Sequence, residues 1–314
     1  MKSEHADSIT GEPRVRRGAP SLTIVRASLA AILRATSSLG PAPTALAGKI
    51  ARRLPEGIWA RQPRVVARRL GIWFDLDLRD NVQRTLYFTG WYERRYLSAL
   101  KKELRKGDLY VDVGAHIGIH ALVLGRYLSR LGAGSVLAFE PASDVAARLR
   151  WAVARNGLHN VSVVEEALGA ERGSATLKTD PHLYHESDGS VRSFYGPGPA
   201  AYEVAVTTLD DWLEANPATK IDVVKVDVEG AEFDVLRGMT KVLSKEPPRL
   251  VGVEIRDYLL LRAGVTRTSV QAFLQDRGYR LVRTPDLEGN FLFRRDDQYA
   301  RQSKTGERQT VRAG

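Results

Sequence analysis

Two corners of this sequence gather residue types that can do chemistry together. In LYVDVGAHIGIHALVLG (109–125), Asp112 closes an apolar run, Gly114 and Gly118 follow, and a helical pattern begins. In VVKVDVEGAEFDVL (223–236), Asp227 and Glu229 stand at a corner of the same shape. Glycine permits a tight turn and close backbone approach to a ligand. A helix starting there points its free N–H groups at the same space, which favours a carboxylate or phosphate. Glu140 ends the apolar run of AFEP, 22 residues after Gly118. An acid at the tip of a second strand is placed to accept both hydroxyls of a ribose. Glu254 ends a further run, VGVEI.

The acids near the second corner can serve as a general base, which must stand within hydrogen-bond reach of the proton it takes. Asp227 ranks first for it and Glu254 second, with Glu229 as an anchor for the acceptor. The same carboxylates form a set able to hold Mg2+. Glu232 starts the following helix, where negative charge is favoured, and reads as structural. His182 and His185 are rival bases in a loop.

The spacing D-x-G-x-x-x-G differs from the three-glycine turn of dinucleotide sites, on which a pyrophosphate must press. His116 fills that part of the loop. An adenosine carrying an amino-acid tail fits better, and S-adenosylmethionine is such a molecule. Its adenine would lie beyond a third strand, near Glu165, Glu166 and Ala167.

Short apolar runs at 109–113, 135–140, 161–165, 221–227 and 250–255 alternate with helical patterns at 119–131, 143–156, 231–243 and 269–278. That alternation predicts a parallel sheet covered on both faces. Two last strands, 280–283 and 290–293, are joined by TPDLEG and predict an antiparallel hairpin at one edge. Upstream, 21–54 reads as helices broken by SSLGPAP, 71–78 as a strand, and 79–105 as helical with a break at FTG. After a strand at 174–177, residues 179–201 lack helical period and are rich in His, Ser, Gly and Pro. Such an insertion in a compact domain reads as a binding loop or a disordered excursion.

The 314 residues are 43% hydrophobic and 27% charged, with no cysteine. This excludes disulfides, thiolate metal sites and a cysteine nucleophile, and fits a cytoplasmic protein. The net charge of +10 sits at the ends: residues 1–70 carry 13 Lys/Arg against 4 Asp/Glu, and 294–314 carry 6 against 3. The expected organisation is a basic, partly disordered or helical extension (1–70), one catalytic domain (71–294, led in by 71–107) and a disordered basic tail (295–314). The stretch LTIVRASLAAIL is broken by Arg26 and is shorter than the ~20 residues of a membrane span. It reads as an amphipathic helix that packs on its own protein, with peripheral membrane contact by the basic N-terminus as the alternative. The A-x-A form at Ala45–Ala47 does not make this region a signal peptide, because Arg26 interrupts the apolar stretch.

From Gly71 to Phe293 the chain resembles the FkbM-type S-adenosylmethionine-dependent methyltransferases. The resemblance is carried by LYFTGWYE, GDLYVDVGAHIG, AFEPASD, VVEEALG, TTLDDWL, IDVVKVDVEGAEFDVLRG and VGVEI, in that order. It implies an α/β class I methyltransferase (Rossmann-like) fold: seven strands, mostly parallel, the last antiparallel, with helices on both faces. It implies O-methylation, often of sugar hydroxyls in glycans, glycolipids or secondary metabolites. By position, Asp112, Gly114 and Gly118 form the methionine-side loop and Glu140 binds ribose. The loop usually reads GANIG; here His116 either keeps an amide-like hydrogen bond or adds a titratable group.

The sequence lacks the Asn/Asp-Pro-Pro-Tyr/Phe signature of amino-group methylation, and lacks the cysteine of C5-cytosine methylation. Both absences point to an oxygen on a small-molecule or glycan acceptor. An RNA methyltransferase with a basic N-terminal arm is the alternative, but no basic patch interleaved with aromatics supports nucleic acid as partner. A non-catalytic cofactor-binding module conflicts with the intact corner acids, and an oxidoreductase with the loop spacing.

Overall fold

The computed structural model describes residues 20–58, 63–179, 192–196, 198–217, 219–282, 289–296 and 298. The chain divides into two units, one of 1–69 with 75–91 and one of 70–74 with 92–314. Much of the lead-in, 75–91, therefore groups with the N-terminal helices.

The chain opens with α1 (Pro20–Ser38), α2 (Pro41–Arg52), a short 3-10 turn (Glu56–Ile58), β1 (Arg64–Arg69), β2 (Ile72–Asp77), which the division splits, and α3 (Asn81–Thr89). The helices α1 and α2 part within SSLGPAP, where Gly40 takes φ 142° and Pro41 opens α2. A proline at the first helical position loses no hydrogen bond, because that N–H would have no partner in the helix. The three helices pack on one another. Asp80 caps α3 by accepting the Gln83 N–H at 2.8 Å, and Gly90 ends it in the left-handed region at φ 77°. β1, which pairs with β2, has no counterpart in the expected elements.

The second unit begins with α4 (Arg94–Glu103), β3 (Leu109–Val113), α5 (Ile119–Arg130), β4 (Ser135–Phe139), α6 (Ser143–Arg155) and β5 (Val161–Val164). There follow β6 (Ala167–Leu168), β7 (Gly173–Thr179), β8 (Arg192–Ser193), β9 (Ala200–Thr207) and α7 (Leu209–Ala215). Then come β10 (Val223–Val226), α8 (Glu232–Arg237), α9 (Thr240–Lys245), β11 (Leu250–Glu254), α10 (Asp257–Leu260), α11 (Arg267–Gln275), β12 (Tyr279–Val282) and β13 (Asn290–Arg295).

Seven strands form one sheet in the order β12-β13-β11-β10-β3-β4-β5, and β13 runs antiparallel to both its neighbours. This is the class I sheet that the resemblance implied. Val111, Val224, Val251 and Phe293 align across β3, β10, β11 and β13 in one buried row. The next rung holds Asp112, Lys225, Gly252 and Leu292 on the opposite face, also buried. Burial on both faces is what a parallel sheet requires.

Two expectations are corrected. The helix read over 231–243 is two helices, α8 and α9, parted at Gly238–Met239. The Asp210 carboxylate accepts the N–H groups of Lys241 and Val242 at 2.8 and 2.9 Å, which caps a new helix start inside the apolar periodicity. The insertion read over 179–201 is strand at both described ends. A second sheet, β6-β9-β7-β8, occupies this region, with Thr179 paired to Arg192 and β9 beginning at Ala200. Residues 180–191, the body of the turn TPDLEG and the tail beyond 298 lie outside the described residues, as do 1–19.

The region of the second sheet meets α8 at glycines: a Cβ on Gly238 would lie 1.9 Å from the Gly169 carbonyl oxygen. Backbone cannot yield as a side chain can. Gly238→Ala is expected to destabilise the protein by about 2–4 kcal/mol, measured by denaturant unfolding.

Candidate active site

Five neighbouring strands, β11, β10, β3, β4 and β5, carry acids at or just beyond their C-terminal ends: Glu254, Asp227, Asp112, Glu140 and the Glu165–Glu166 pair. Ligands of open α/β sheets bind along that edge. At the opposite edge the acids Asp108 and Asp222 are tied down, with Arg249 within 3.0 and 3.3 Å and the Leu109 N–H on Asp222 at 3.0 Å. The C-terminal edge is held by a different set of contacts.

At the first corner, Gly114 and Gly118 take φ 78° and 82°. A Cβ on Gly114 would lie 1.8 Å from the Asp227 carbonyl oxygen, and one on Gly118 would lie 2.2 Å from Leu149 Cδ1. These glycines bring the two corners together and seat α6 before any ligand is considered. His116 also adopts a left-handed φ, 52°, and its N–H donates to Glu140 Oε2 at 2.8 Å. Asn and His are both enriched in that conformation, which accounts for His in a loop that usually has Asn. Glu140 Oε1 accepts the Ala142 N–H at 3.0 Å. The carboxylate is thereby held in place at the tip of β4. Beyond β5, Glu165 is bound to Arg150 at 2.5 Å, while Glu166 is half-buried beside buried Ala167.

Between the corners sits a buried lysine that the motifs do not single out. Lys225 Nζ lies 3.0 Å from Asp227 Oδ2 and 3.4 Å from Asp112 Oδ1. Burial alone would strip its proton, but Asp227 and Asp112 outweigh that and keep it charged. A signal for it existed: it is the one charge within the apolar run VVKV, and buried charges are paired. Tyr96 reaches over from α4; a Cβ on Gly252 would lie 2.1 Å from its hydroxyl. Glu93 accepts from Asn290 Nδ2 at 3.1 Å and faces His120 Nε2 at 3.1 Å. Glu93, Tyr96 and His120 carry no sequence signal, since only the packing of α4 on α5 joins them.

Among the described residues, both Asp112 carboxylate oxygens and the Tyr96 and Tyr110 hydroxyls are buried without a hydrogen-bond partner. Burial pushes both phenols well above their usual pKa, so they remain donors. Native interiors satisfy nearly all such atoms, so these groups have the chemistry to meet a polar ligand.

At the second corner, one oxygen each of Asp227, Glu229 and Glu254 lies within 4.8 Å of the others. Burial would raise Asp227, but Lys225 and hydrogen bonds from Lys225 and Glu254 hold it below the usual carboxylate range. Burial, then repulsion from Asp227, raises Glu229 to about 8 and Glu254 well above its ordinary value. Arg256 donates to Glu254 at 2.6 Å. Glu229 stands at φ 54°, a strained conformation for a non-glycine residue. Glu232 accepts the N–H groups of Val228 and Gly230 at 3.1 and 3.0 Å and so braces the corner. The end of the insertion also reaches this corner: Ser193 Oγ donates to the Glu229 carbonyl at 2.6 Å, and the Tyr195 hydroxyl to Asp234 at 2.5 Å. His182 and His185 lie outside the described residues.

The family model described as Methyltransferase FkbM domain matches residues 112–281. The chain belongs to this family. It is 28% identical over 151 residues to the hexuronic acid methyltransferase AglP of Haloferax volcanii, a match covering 48% of this chain and 58% of that protein. It is 36% identical over 149 residues to Methyltransferase 1 of Beauveria bassiana, covering 41% and 57%, and 30% identical over 227 residues to methyltransferase sdnD of Sordaria araneosa, covering 62% and 84%. The match thus spans less than two thirds of the length of the first two relatives. The solved FkbM methyltransferase of Methylobacillus flagellatus KT aligns with 87% of this chain and 60% of its own, at 16% identity and a TM-score of 0.45.

Lys225→Met would leave two buried carboxylates facing each other, at an expected cost of roughly 3 kcal/mol or more. In the natural chain, the lowered Asp227 contributes stability above its unfolded pKa. Without the lysine its folded pKa rises above the unfolded value, and stability falls as pH rises through that interval. Unfolding measured at several pH values should therefore show a deficit that is small near pH of about 4 and grows toward about 8.

Proposed function

We propose that this FkbM-family enzyme methylates a hydroxyl oxygen, that of a sugar in a glycan, glycolipid or secondary metabolite. The observation that carries this reading is the meeting of Asp227, Glu229 and Glu254 beside the cofactor corner, with one member held ionised. A relative named for methylating a hexuronic acid supports a sugar acceptor.

The residues present fit S-adenosylmethionine. Glu140 would accept the ribose hydroxyls, Glu166 lies at the adenine end, and Asp112, with the loop of Gly114, His116 and Gly118, takes the methionine end. Asp112, whose oxygens have no hydrogen-bond partner beyond the Lys225 ion pair, and the Tyr96 hydroxyl suit its amino-acid group. When bound, this cofactor supplies a methyl group activated on a sulfonium.

The chain's own part is to aim the acceptor and take its proton. Asp227 is the carboxylate that is charged at neutral pH, so it accepts the hydrogen bond of the acceptor hydroxyl. That hydroxyl becomes acidic as its oxygen gains the methyl group, and a weak base then suffices. The hydrogen bond between Asp227 and Glu254 makes them a pair that shares protons. Glu229, protonated below pH of about 8, donates to the acceptor and positions it. Ser193 and Tyr195 anchor the C-terminal end of the insertion beside this corner, which supports a role for the insertion in acceptor contact.

The acidic trio does not suit Mg2+. Lys225 already lies 3.0 Å from Asp227, and Arg256 donates to Glu254 at 2.6 Å. A divalent ion there would be opposed by two cations already paired with the carboxylates it needs. Methylation is therefore expected to proceed at an unchanged rate in EDTA; a loss restored by Mg2+ would overturn this point.

The reaction is tested with methyl-labelled S-adenosylmethionine and a panel of sugar acceptors, the product being read by NMR. An O-methyl ether is expected, and label on nitrogen or on RNA would sink the reading. Asp227→Asn should lower kcat by about 10²–10⁴ while S-adenosylhomocysteine, titrated calorimetrically, binds within a few-fold of its normal affinity.

A further inference from the structure

Six of the nine large apolar side chains exposed among the described residues lie on α1, α2 and the turn between them: Ile24, Val25, Ile32, Leu39, Leu46 and Ile50. On α1 they are not scattered. Val25 and Ile32 stand seven residues apart, which puts them on one side, and Leu39 follows at the same interval in the turn just after the helix. Ser28, Ala31 and Ala35, also exposed, fill the same side, and none of these positions is charged. The opposite side, with Ala30, Leu33 and Ser37, is buried. The helix therefore does pack on its own protein, as its amphipathic pattern predicts, yet it keeps a second apolar face in solvent. Leu39 is 77% exposed, Ile24 64% and Ile32 62%, and a contiguous exposed patch of this kind marks an interaction surface.

The charge around it is of one sign. Residues 13–55 contain no Asp or Glu, and the exposed face of α2 sets Lys49 and Arg53 beside Leu46 and Ile50 at helical spacing. Apolar side chains flanked only by cations match an anionic lipid surface, where the apolar atoms enter the acyl boundary and the cations meet the headgroups. No helix of the described residues is long and apolar enough to cross a membrane.

We propose that the α1–α2 pair is a peripheral docking surface for an anionic lipid bilayer. The surface lies on the first unit and does not depend on the reading of the reaction.

The full chain should sediment with sucrose-loaded vesicles containing about one third phosphatidylglycerol, and not with phosphatidylcholine alone. Rising salt should weaken the binding, since exposed charges are screened. Ile32→Glu with Leu39→Glu, and separately Lys49→Glu with Arg53→Glu, should each weaken it about tenfold or more, with circular dichroism unchanged. If the first pair disturbs the helices, Ile32→Ser with Leu39→Ser reads the same face. Failure to sediment with anionic vesicles overturns the proposal, as does binding that both apolar pairs leave intact. A dimer in light scattering that the apolar pair dissociates would assign the face to a second copy of the chain instead. Loss of S-adenosylhomocysteine binding by the natural chain would count against the reaction, not against this surface.

Discussion

The site depends on one buried ammonium group. Lys225 stands between Asp112 of β3 and Asp227 beyond β10, with both carboxylates within 3.4 Å. Removing such a charge from water costs several kcal/mol, and only close opposite charges repay it. The arrangement also fixes register. A slip of one residue in β10 would turn Lys225 to the face occupied by Val111 and Val251, and every side chain of the strand would change faces with it. The same contact therefore aligns the central strands and sorts the protons. Asp227 is held below the usual carboxylate range, while Glu229 and Glu254, which share its neighbourhood, are pushed above it.

The sheet was legible in the sequence because its strands are short apolar runs ending in acids, and the expected strand limits at 109–113 and 250–255 agree with β3 and β11 to within a residue. Of the second sheet only one strand was legible, the run at 174–177, which falls in β7. Its partner β9 spans AAYEVAVT (200–207), where Tyr202, Val204 and Val206 alternate, but the insertion between them hid the pairing. The break between α8 and α9 was hidden for another reason. Its cause, the Asp210 side chain, lies thirty-one residues away from the Lys241 N–H it accepts. The corner acids were legible as candidates, and the structure brings Asp227, Glu229 and Glu254 together. Their partners were not, because Glu93, Tyr96, His120 and Asn290 meet only through packing.

The glycines of the first corner change meaning once the packing is seen. Gly114 is small because a carbonyl of the second corner occupies the space, and Gly118 because Leu149 does. Pre-organisation of the ligand loop is therefore a by-product of how β3, β10 and α6 approach one another. His116 belongs to the same account. Its backbone conformation, and the N–H it presents to Glu140, matter in this structure before any property of the imidazole ring does.

The rungs Lys178–Ser193 and Thr179–Arg192 close the insertion into its own small ladder, which belongs to a different sheet from β10. Lengthening a loop closed in this way is cheap, about 0.6 kcal/mol for each doubling. The ionisation of Asp227 is set outside that ladder, by a lysine inside β10. The stretch between those rungs can therefore change in length and sequence without disturbing the lysine contact that holds Asp227 low.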